Sequence, residues 1–539
     1  MSDAIEGGKL PAPPRIHSFS TCLQRGRSNW LEVRDPFLPS HGEYGNLRYC
    51  TVTLEGRHNR AWPTWLEALF LLLCAAILTW QLLLPGFIGM ANNGDFPRVA
   101  GPFHLLGADH ETEKFFYFQP DYVRGPSSYY NPHIPSSELV PAGLAAWFEC
   151  TFGSKTHFDI RWLGGLHALI FLGVYYLLLL VLRPLNLVAK IVLSLAGLWI
   201  FTDVGFVAYL NSFYSDVPAM LGGLAAAFLA VLLARSQMIS PALLGLFGLA
   251  ALFFVTSKAQ HGILGVIPLA AAVWFGWRSH DPRGRLVAGL VALALVAGMF
   301  WVIGRAPAWY TAQSRFNLIF IKIAPNSKTP VEDMRELGLD AADARYSGMH
   351  AWMPGNPMSD EEFVKKFCAR TSAWKTIKFH LRHPARAIRI LRTDLWLEAP
   401  LRRLFGNFPK SYGRPPGAQT GRFSSWSTLR VSLFKLWPGH IVVWYALAIL
   451  GAPLLAIREK SRFRRALLWT ILTVAVAGAG EFCVASLADG TETARHLWMF
   501  HVFTDVTIFL ALVLVASRLQ DRWSYARSSR VSLNHSPSF

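Results

Sequence analysis

Charge is what this chain has least of. Of its 539 residues only 16% are Asp, Glu, Lys or Arg, against 52% hydrophobic, where a soluble domain carries about 25% charged. Acid is scarcer still, with 34 carboxylates facing 52 Lys and Arg and a formal net charge of +18. That balance fits a polytopic membrane protein better than a soluble multidomain one. Cysteine is sparse: the six, at 22, 50, 74, 150, 368 and 483, form no CxxC and no metal-type spacing. No P-loop, GxSxG or HExxH pattern is present, so the motifs give soluble nucleotide binding no support. No metal ligands, cofactor or nucleic-acid partner are expected, with a divalent ion left open. A Cys150–Cys368 pairing stays open too.

What is present is a series of apolar runs, at 65–89, 162–182, 186–202, 217–234, 240–256, 262–276, 286–304, 438–457, 466–486 and 497–517. Most approach the roughly 20 residues that cross a hydrocarbon core, and those at 240–256 and 262–276 are the shortest. The expected fold is an all-α polytopic membrane protein with about ten transmembrane helices. The first 60 residues are polar and show no cleavable signal pattern, so the run at 65–89 is expected to act as an uncleaved anchor.

Orientation follows from Lys and Arg in short loops. The gaps 183–190, 235–238, 277–285 and 458–465 hold eleven basic residues, whereas 203–216, 257–261 and 488–496 hold two. Both termini are therefore expected in the cytoplasm. The segment 305–437 has 22 basic and 10 acidic residues yet falls outside, because long segments translocate largely regardless of charge. The expected organisation is a cytoplasmic, partly disordered tail over 1–64 and a transmembrane core over 65–304 with a large external loop at 90–161. A helical external segment over 305–437, C-terminal membrane helices over 438–517 and a cytoplasmic tail over 518–539 complete it. In the first external loop, Phe115 to Phe118 and Tyr129-Tyr130 are aromatic, and 136–152 reads as a re-entrant or interfacial helix. The stretch 375–392 interleaves cations with apolar residues at helical spacing, the pattern of a helix in the headgroup layer or of a solvated basic face.

The polar motifs gather at the ends assigned to the outside. Asn92-Asn93-Gly94-Asp95-Phe96-Pro97-Arg98 follows the first run, and Tyr209 to Asp216 (YLNSFYSD) follows the third. Ser257-Lys258-Ala259-Gln260-His261 follows the fifth and Asp489 to His496 (DGTETARH) the ninth. Gly94 and Pro97 favour a tight turn that presents Asp95 as a general base or cation ligand. Asp216 also starts a helix well, ahead of Pro218. Arg98, Lys258 and Arg495 can meet a phosphate, with Asn93, Tyr214, Gln260, His261 and His496 as further polar contacts. Lys258 could equally snorkel to the interface. Asp95 and Asp216 are the candidate catalytic carboxylates, and the chemistry this favours is transfer involving an anionic lipid-linked substrate.

Asn93-Gly94-Asp95-Phe96-Pro97-Arg98, the Tyr-x-Asn-Ser-Phe-Tyr-Ser-Asp run, and Phe316-Asn317-Leu318-Ile319-Phe320 leading to Glu336-Leu337-Gly338-Leu339 resemble a bacterial group of glycan-biosynthesis hexose transferases. Together with the span pattern over most of 65–505, the chain resembles the GT-C superfamily of membrane glycosyltransferases, whose donors are polyprenyl-phosphate sugars. The resemblance implies a lipid-linked sugar donor, a glycan or lipid-linked acceptor, inversion at the sugar carbon, and an active site on the outer face of a bacterial inner membrane. Its first-loop carboxylate, the usual base, maps onto Asp95. The family pattern often has two adjacent acids there, where this chain has Asn-Gly-Asp. A lipid-linked glycan carrier without turnover, and a membrane scaffold that docks partners on 305–437, are the alternatives.

Overall fold

The computed structural model describes residues 64–107, 113–126, 134–399 and 405–533. The expected N-terminal tail and the pair Tyr129-Tyr130 lie outside these residues, and 518–533, expected as tail, continue the last helix, Trp498–Leu533. Helices occupy all ten apolar runs. Seven of them are long and apolar enough to cross a membrane: 64–82, 161–182, 216–235, 282–304, 439–458, 462–487 and 493–523. Leu187–Phe201 and Val204–Leu210 meet at 60° and make an eighth if counted as one broken span. Pro241–Val255 and Val266–Arg278, at 15 and 13 residues, fall short of that length. The count of ten spans is therefore not established, while the helical, polytopic architecture is.

The helices begin where the sequence supplies caps. Asn186, Ser240, Asp281 and Ser461 each accept a backbone N–H two or three residues on, opening the helices that leave the four basic gaps. Each such cap contributes about 1 kcal/mol. The first helix stops at Leu82, seven residues before its apolar run ends, because Pro85 and Gly86 break it and Gly86 sits at φ +92°. The freed chain turns toward the Asp95 loop. Asn211 fixes that turn from below: its buried Nδ2 donates to the carbonyls of Leu82 (3.0 Å) and Ile88 (2.8 Å). Asn211→Ala leaves both carbonyls without that donor and is expected to destabilise the fold by roughly 2–4 kcal/mol. The check is thermal unfolding in detergent beside Asn211→Asp, which retains the volume but not the amide donors.

The first external loop holds an unexpected element, a three-stranded antiparallel sheet of β1 (Leu105–Gly107), β2 (Asp121–Arg124) and β3 (His157–Asp159) in that order. Tyr122 of β2 and Phe158 of β3 close on Phe213, which also meets Phe96 at 5.9 Å. An aromatic cluster thus welds the loop to the YLNSFYSD run. The apolar helix Leu139–Phe152 packs beside it.

Residues 305–437 are mostly helical and carry their own apolar core, with Phe316, Phe320, Met334, Leu337, Phe367 and Phe379 buried. The basic stretch forms two helices, Ala373–Arg382 and Pro384–Leu397, broken at His383-Pro384. Trp374, Ile377, Leu381 and Ile388 are exposed among Lys378, Arg382 and Arg389. The four described cysteines, at 74, 150, 368 and 483, are free thiols.

Candidate active site

A cavity of about 530 Å³ opens where the first-loop turn meets the loop before the last helix and the start of 305–437. Asn93, Gly94, Asp95 and Arg98 line it from the first loop, and Asp489, Thr491, Glu492, Arg495 and His496 from the last. Tyr310, Ser314, His350 and Trp352 complete the wall.

The turn that presents Asp95 is built by the asparagines before it. Asn92 Oδ1 accepts from Gly94 N (2.8 Å) and Phe96 N (3.2 Å), and Asn93 Oδ1 from Asp95 N (3.2 Å). Gly94 takes φ +103°, a conformation that costs a side-chain-bearing residue strain. Tyr214 ties the turn to the membrane core: its hydroxyl donates to Ala91 O (2.9 Å) and accepts from Asn93 N (3.2 Å).

Asp95 is held between two guanidiniums, Arg98 on Oδ1 at 2.8 Å and Arg495 on Oδ2 at 2.6 Å. Arg495 also grips Glu492 through Nε (3.0 Å) and Nη2 (2.9 Å), and Asn93 Nδ2 donates to the same Glu492 oxygen (2.7 Å). Arg495 further lies over the Tyr214 ring, and Arg98 over Tyr310. Burial alone raises the Asp95 pKa, but Arg495 and Arg98, with Lys258 farther off, outweigh it and hold the carboxyl below its ordinary value. Asp489 is shifted upward by burial, although Oδ1 accepts from the backbone N–H groups of Gly490 (2.6 Å) and Thr491 (3.1 Å).

Asn317, in the Phe-Asn-Leu motif, braces this last loop. Its Nδ2 donates to Thr491 Oγ1 (3.1 Å) and its Oδ1 accepts from Ala351 N (2.8 Å). Gly490 lies so close that a Cβ there would overlap the Asn317 carbonyl. Gly490→Ala therefore forces a backbone shift, with an expected cost of about 1–3 kcal/mol and loss of phosphate binding in the cleft. Thermal unfolding and phosphate titration of the variant check both.

The candidates from the sequence divide into two layers. Asn93, Asp95, Arg98, Arg495 and His496 line the cleft. Tyr214, Asp216, Lys258, Gln260 and His261 do not. Lys258 turns inward to Asp216 (2.6 Å), and both are largely buried. Gln260 donates to Glu481 Oε2 (2.7 Å) and to the His496 carbonyl (3.2 Å), so this second layer braces the Arg495-His496 corner. Ser257 Oγ lies 2.7 Å from the Phe254 carbonyl and 2.6 Å from His261 Nδ1. His261 Nε2 faces Glu481 Oε1 at 3.3 Å, and both side chains are buried. The sequence motifs included Asp489 and Glu492 without giving them a role, and sequence reading missed Glu481 and the 310–352 wall. The turn-forming Asp-Gly-Thr-Glu run was the one available signal for the first two.

Among the described residues no three His, Cys, Asp or Glu side chains group as a metal site.

Helices that bury an aromatic-lined, arginine-clamped carboxylate at one end of a membrane bundle define a polytopic membrane protein with a charged extramembrane cleft. By family model, residues 57–532 match the YfdI N-terminal transmembrane domain, and the chain belongs to that family. No curated protein matches it. A solved structure, the archaeal oligosaccharyltransferase AglB from Archaeoglobus fulgidus in complex with an inhibitory peptide and a dolichol-phosphate, is similar with a TM-score of 0.39 at 12% identity. That match covers 89% of this chain and 53% of the other, so the chain spans about half its length.

Proposed function

We propose that this protein is a membrane glycosyltransferase that moves a hexose from a polyprenyl-phosphate donor to a surface glycan or lipid-linked acceptor, with inversion. The observation that carries it is the Arg98–Asp95–Arg495 clamp, in which the cations suited to a phosphate and the carboxylate suited to a hydroxyl lie in one cleft. The GT-C-like motifs support the same class. The loop charges support an outer-face cleft with both termini cytoplasmic, and the family resemblance supports a bacterial inner membrane. The exposed cationic and apolar faces of 373–397 would rest in the headgroups.

The clamp suggests an order of events. A donor phosphate entering the cleft draws Arg98 and Arg495 toward its oxygens, which releases the Asp95 carboxylate. Asp95 then takes the proton of the acceptor hydroxyl, and that oxygen bonds to the sugar C1. The C1–O bond to phosphate breaks, its electron pair stays on the phosphate oxygen, and the two guanidiniums meet the new charge. Asp216 and Gln260 act through the second layer by fixing Lys258 and the His496 backbone.

This order has a pH signature. Protonation of Asp95 removes the base, so rate falls as pH drops through its pKa. In free enzyme that pKa is lowered, so the acid limb of kcat/KM lies below the ordinary carboxylate value. The limb of kcat is expected at higher pH, because bound phosphate has taken the arginines. Coincident limbs would show that the clamp stays closed during turnover. The function itself is tested by transfer from a panel of polyprenyl-phosphate hexoses by the purified protein in lipid, with the anomeric configuration read in the product.

The carrier reading is favoured by buried ionisable groups on membrane-spanning helices, among them the Arg430–Asp505 pair, whose Asp505 lies on the last span. Trp426 Nε1 donates to the same carboxylate (2.9 Å). It lies apart from the Asp95 cleft and shares none of its lining residues.

A further inference from the structure

We propose that a second cleft, built by residues 408–422 against the end of the first helix, binds an anionic sugar unit of the acceptor glycan. The inference rests on the transferase reading for its biological role, though not for its ligand chemistry. The cleft has a volume of about 560 Å³ and is lined by Phe408, Tyr412, Arg414, Gln419, Thr420 and Arg422, with the Arg414 guanidinium over the Phe408 ring at 5.6 Å.

Its chemistry is selective. The Tyr412 ring suits the apolar face of a pyranose, and the Gln419 amide suits its hydroxyls. The Arg414 and Arg422 side chains are exposed and form no ion pair among the described residues, and no carboxylate lines the cleft. A planar guanidinium reads a carboxylate or phosphate oxygen pair. The ligand class is therefore a sugar that carries negative charge. A phospholipid headgroup shares the anion but needs an apolar slot beside it, and among the described residues no aliphatic side chain lines this cleft.

The walls are held in place before any ligand arrives. Tyr412 Oη accepts from Gly86 N (3.1 Å), and Lys410 pairs with Glu113 (2.5 Å). Gly417 N donates to Phe116 O (3.0 Å), Tyr117 Oη to the Arg414 carbonyl (3.3 Å), and Phe118 N to Phe408 O (3.1 Å). Residues 116–118 back the second cleft, while Phe115, one residue earlier, lines the Asp95 cleft.

The test is isothermal titration of the full-length protein in detergent with tetragalacturonate, with maltotetraose and phosphatidylglycerol nanodiscs as the other arms. Tetragalacturonate is expected to bind, and the double variant Arg414→Gln/Arg422→Gln to bind it at least about tenfold more weakly, as loss of two charge-assisted contacts requires. Maltotetraose is expected to bind more weakly than tetragalacturonate to the native protein. An unfolding temperature unchanged in the double variant shows that it is folded. Equal affinity for the neutral sugar, equal affinity in the variant, or a variant effect seen only with phosphatidylglycerol each overturns the proposal. Because binding needs no turnover, tetragalacturonate recognition by a protein inactive on every donor would remove the transferase reading and leave this site standing.

Discussion

Asp95→Asn is expected to lower sugar transfer by about 10²–10⁴-fold, the usual range for a lost general base, while the protein stays folded. Asparagine matches the volume of the carboxylate, so the Asn92 and Asn93 turn that positions it has no steric reason to move. What disappears is the ability to accept a proton, together with the anionic partner of Arg98 and Arg495. The two losses act in opposite directions on different steps. Uncompensated guanidiniums should bind the donor phosphate at least as well, so donor KM is expected to stay level or fall while kcat collapses. That split separates a base from a phosphate-binding residue. Substantial turnover in Asp95→Asn would remove Asp95 as the base and direct attention to Glu492, whose carboxylate shares Arg495 with it.

Arg495 variants are expected to be nearly as severe for a different reason. Its guanidinium spans two carboxylates, with Nη1 on Asp95 and with Nε and Nη2 on Glu492. Removing it leaves Asp95 and Glu492 facing each other in a partly buried cleft without the cation between them. Arg495→Gln is expected to lose about 10²–10³-fold in kcat, the usual cost of one electrostatic contact to the developing charge, and to weaken donor binding as well. Arg495→Lys should recover little, because an ammonium is a single point and cannot bridge both acids while stacked on Tyr214. Steady-state kinetics on both variants, with unfolding temperatures in parallel, settle this. Recovery by lysine to near native rate would mean that only the charge at 495 matters, and the bridging geometry would lose its role.

Glu492 adds a structural reason to watch this corner. It adopts φ +50°, ψ +31°, a left-handed conformation that costs a non-glycine residue on the order of 1–3 kcal/mol. The Asn93 and Arg495 contacts hold it there.

Much of this site was legible because short polar motifs interrupt long apolar runs. Asp95 stood out between Gly94 and Pro97, and Arg495 because it opens an apolar helix, and the structure brings both to one cleft. The inward turn of Lys258 could not be read: a lysine between two apolar runs gives the same pattern whether it faces substrate or Asp216. Tyr310, Ser314 and Trp352 come from a segment whose route back to the first loop has no periodic signature. The three strands escaped notice because each has three or four residues, too few to show alternation. The count of ten spans is left unestablished for a physical reason as well. Composition marks 241–255 and 266–278 as apolar, but their helices are cut to 15 and 13 residues by the Thr256–Lys258 and Ser279–Asp281 turns.

The Phe-Asn-Leu and YLNSFYSD motifs show how the same residues divide labour. Asn317, Asn211 and Phe213 brace loops, while Tyr214 does so and also supports the ring face under Arg495. A motif can point to a site without each of its residues touching substrate.

The central claim is that a bond at the sugar C1 is broken in this cleft, and the lipid product reports on it directly. In proteoliposomes loaded with a polyprenyl-phosphate hexose and acceptor, free polyprenyl phosphate measured by mass spectrometry is predicted to rise in step with glycosylated acceptor, and to stay flat in Asp95→Asn. Intact donor recovered on the opposite leaflet, with no free polyprenyl phosphate formed, would contradict the account and establish a carrier instead.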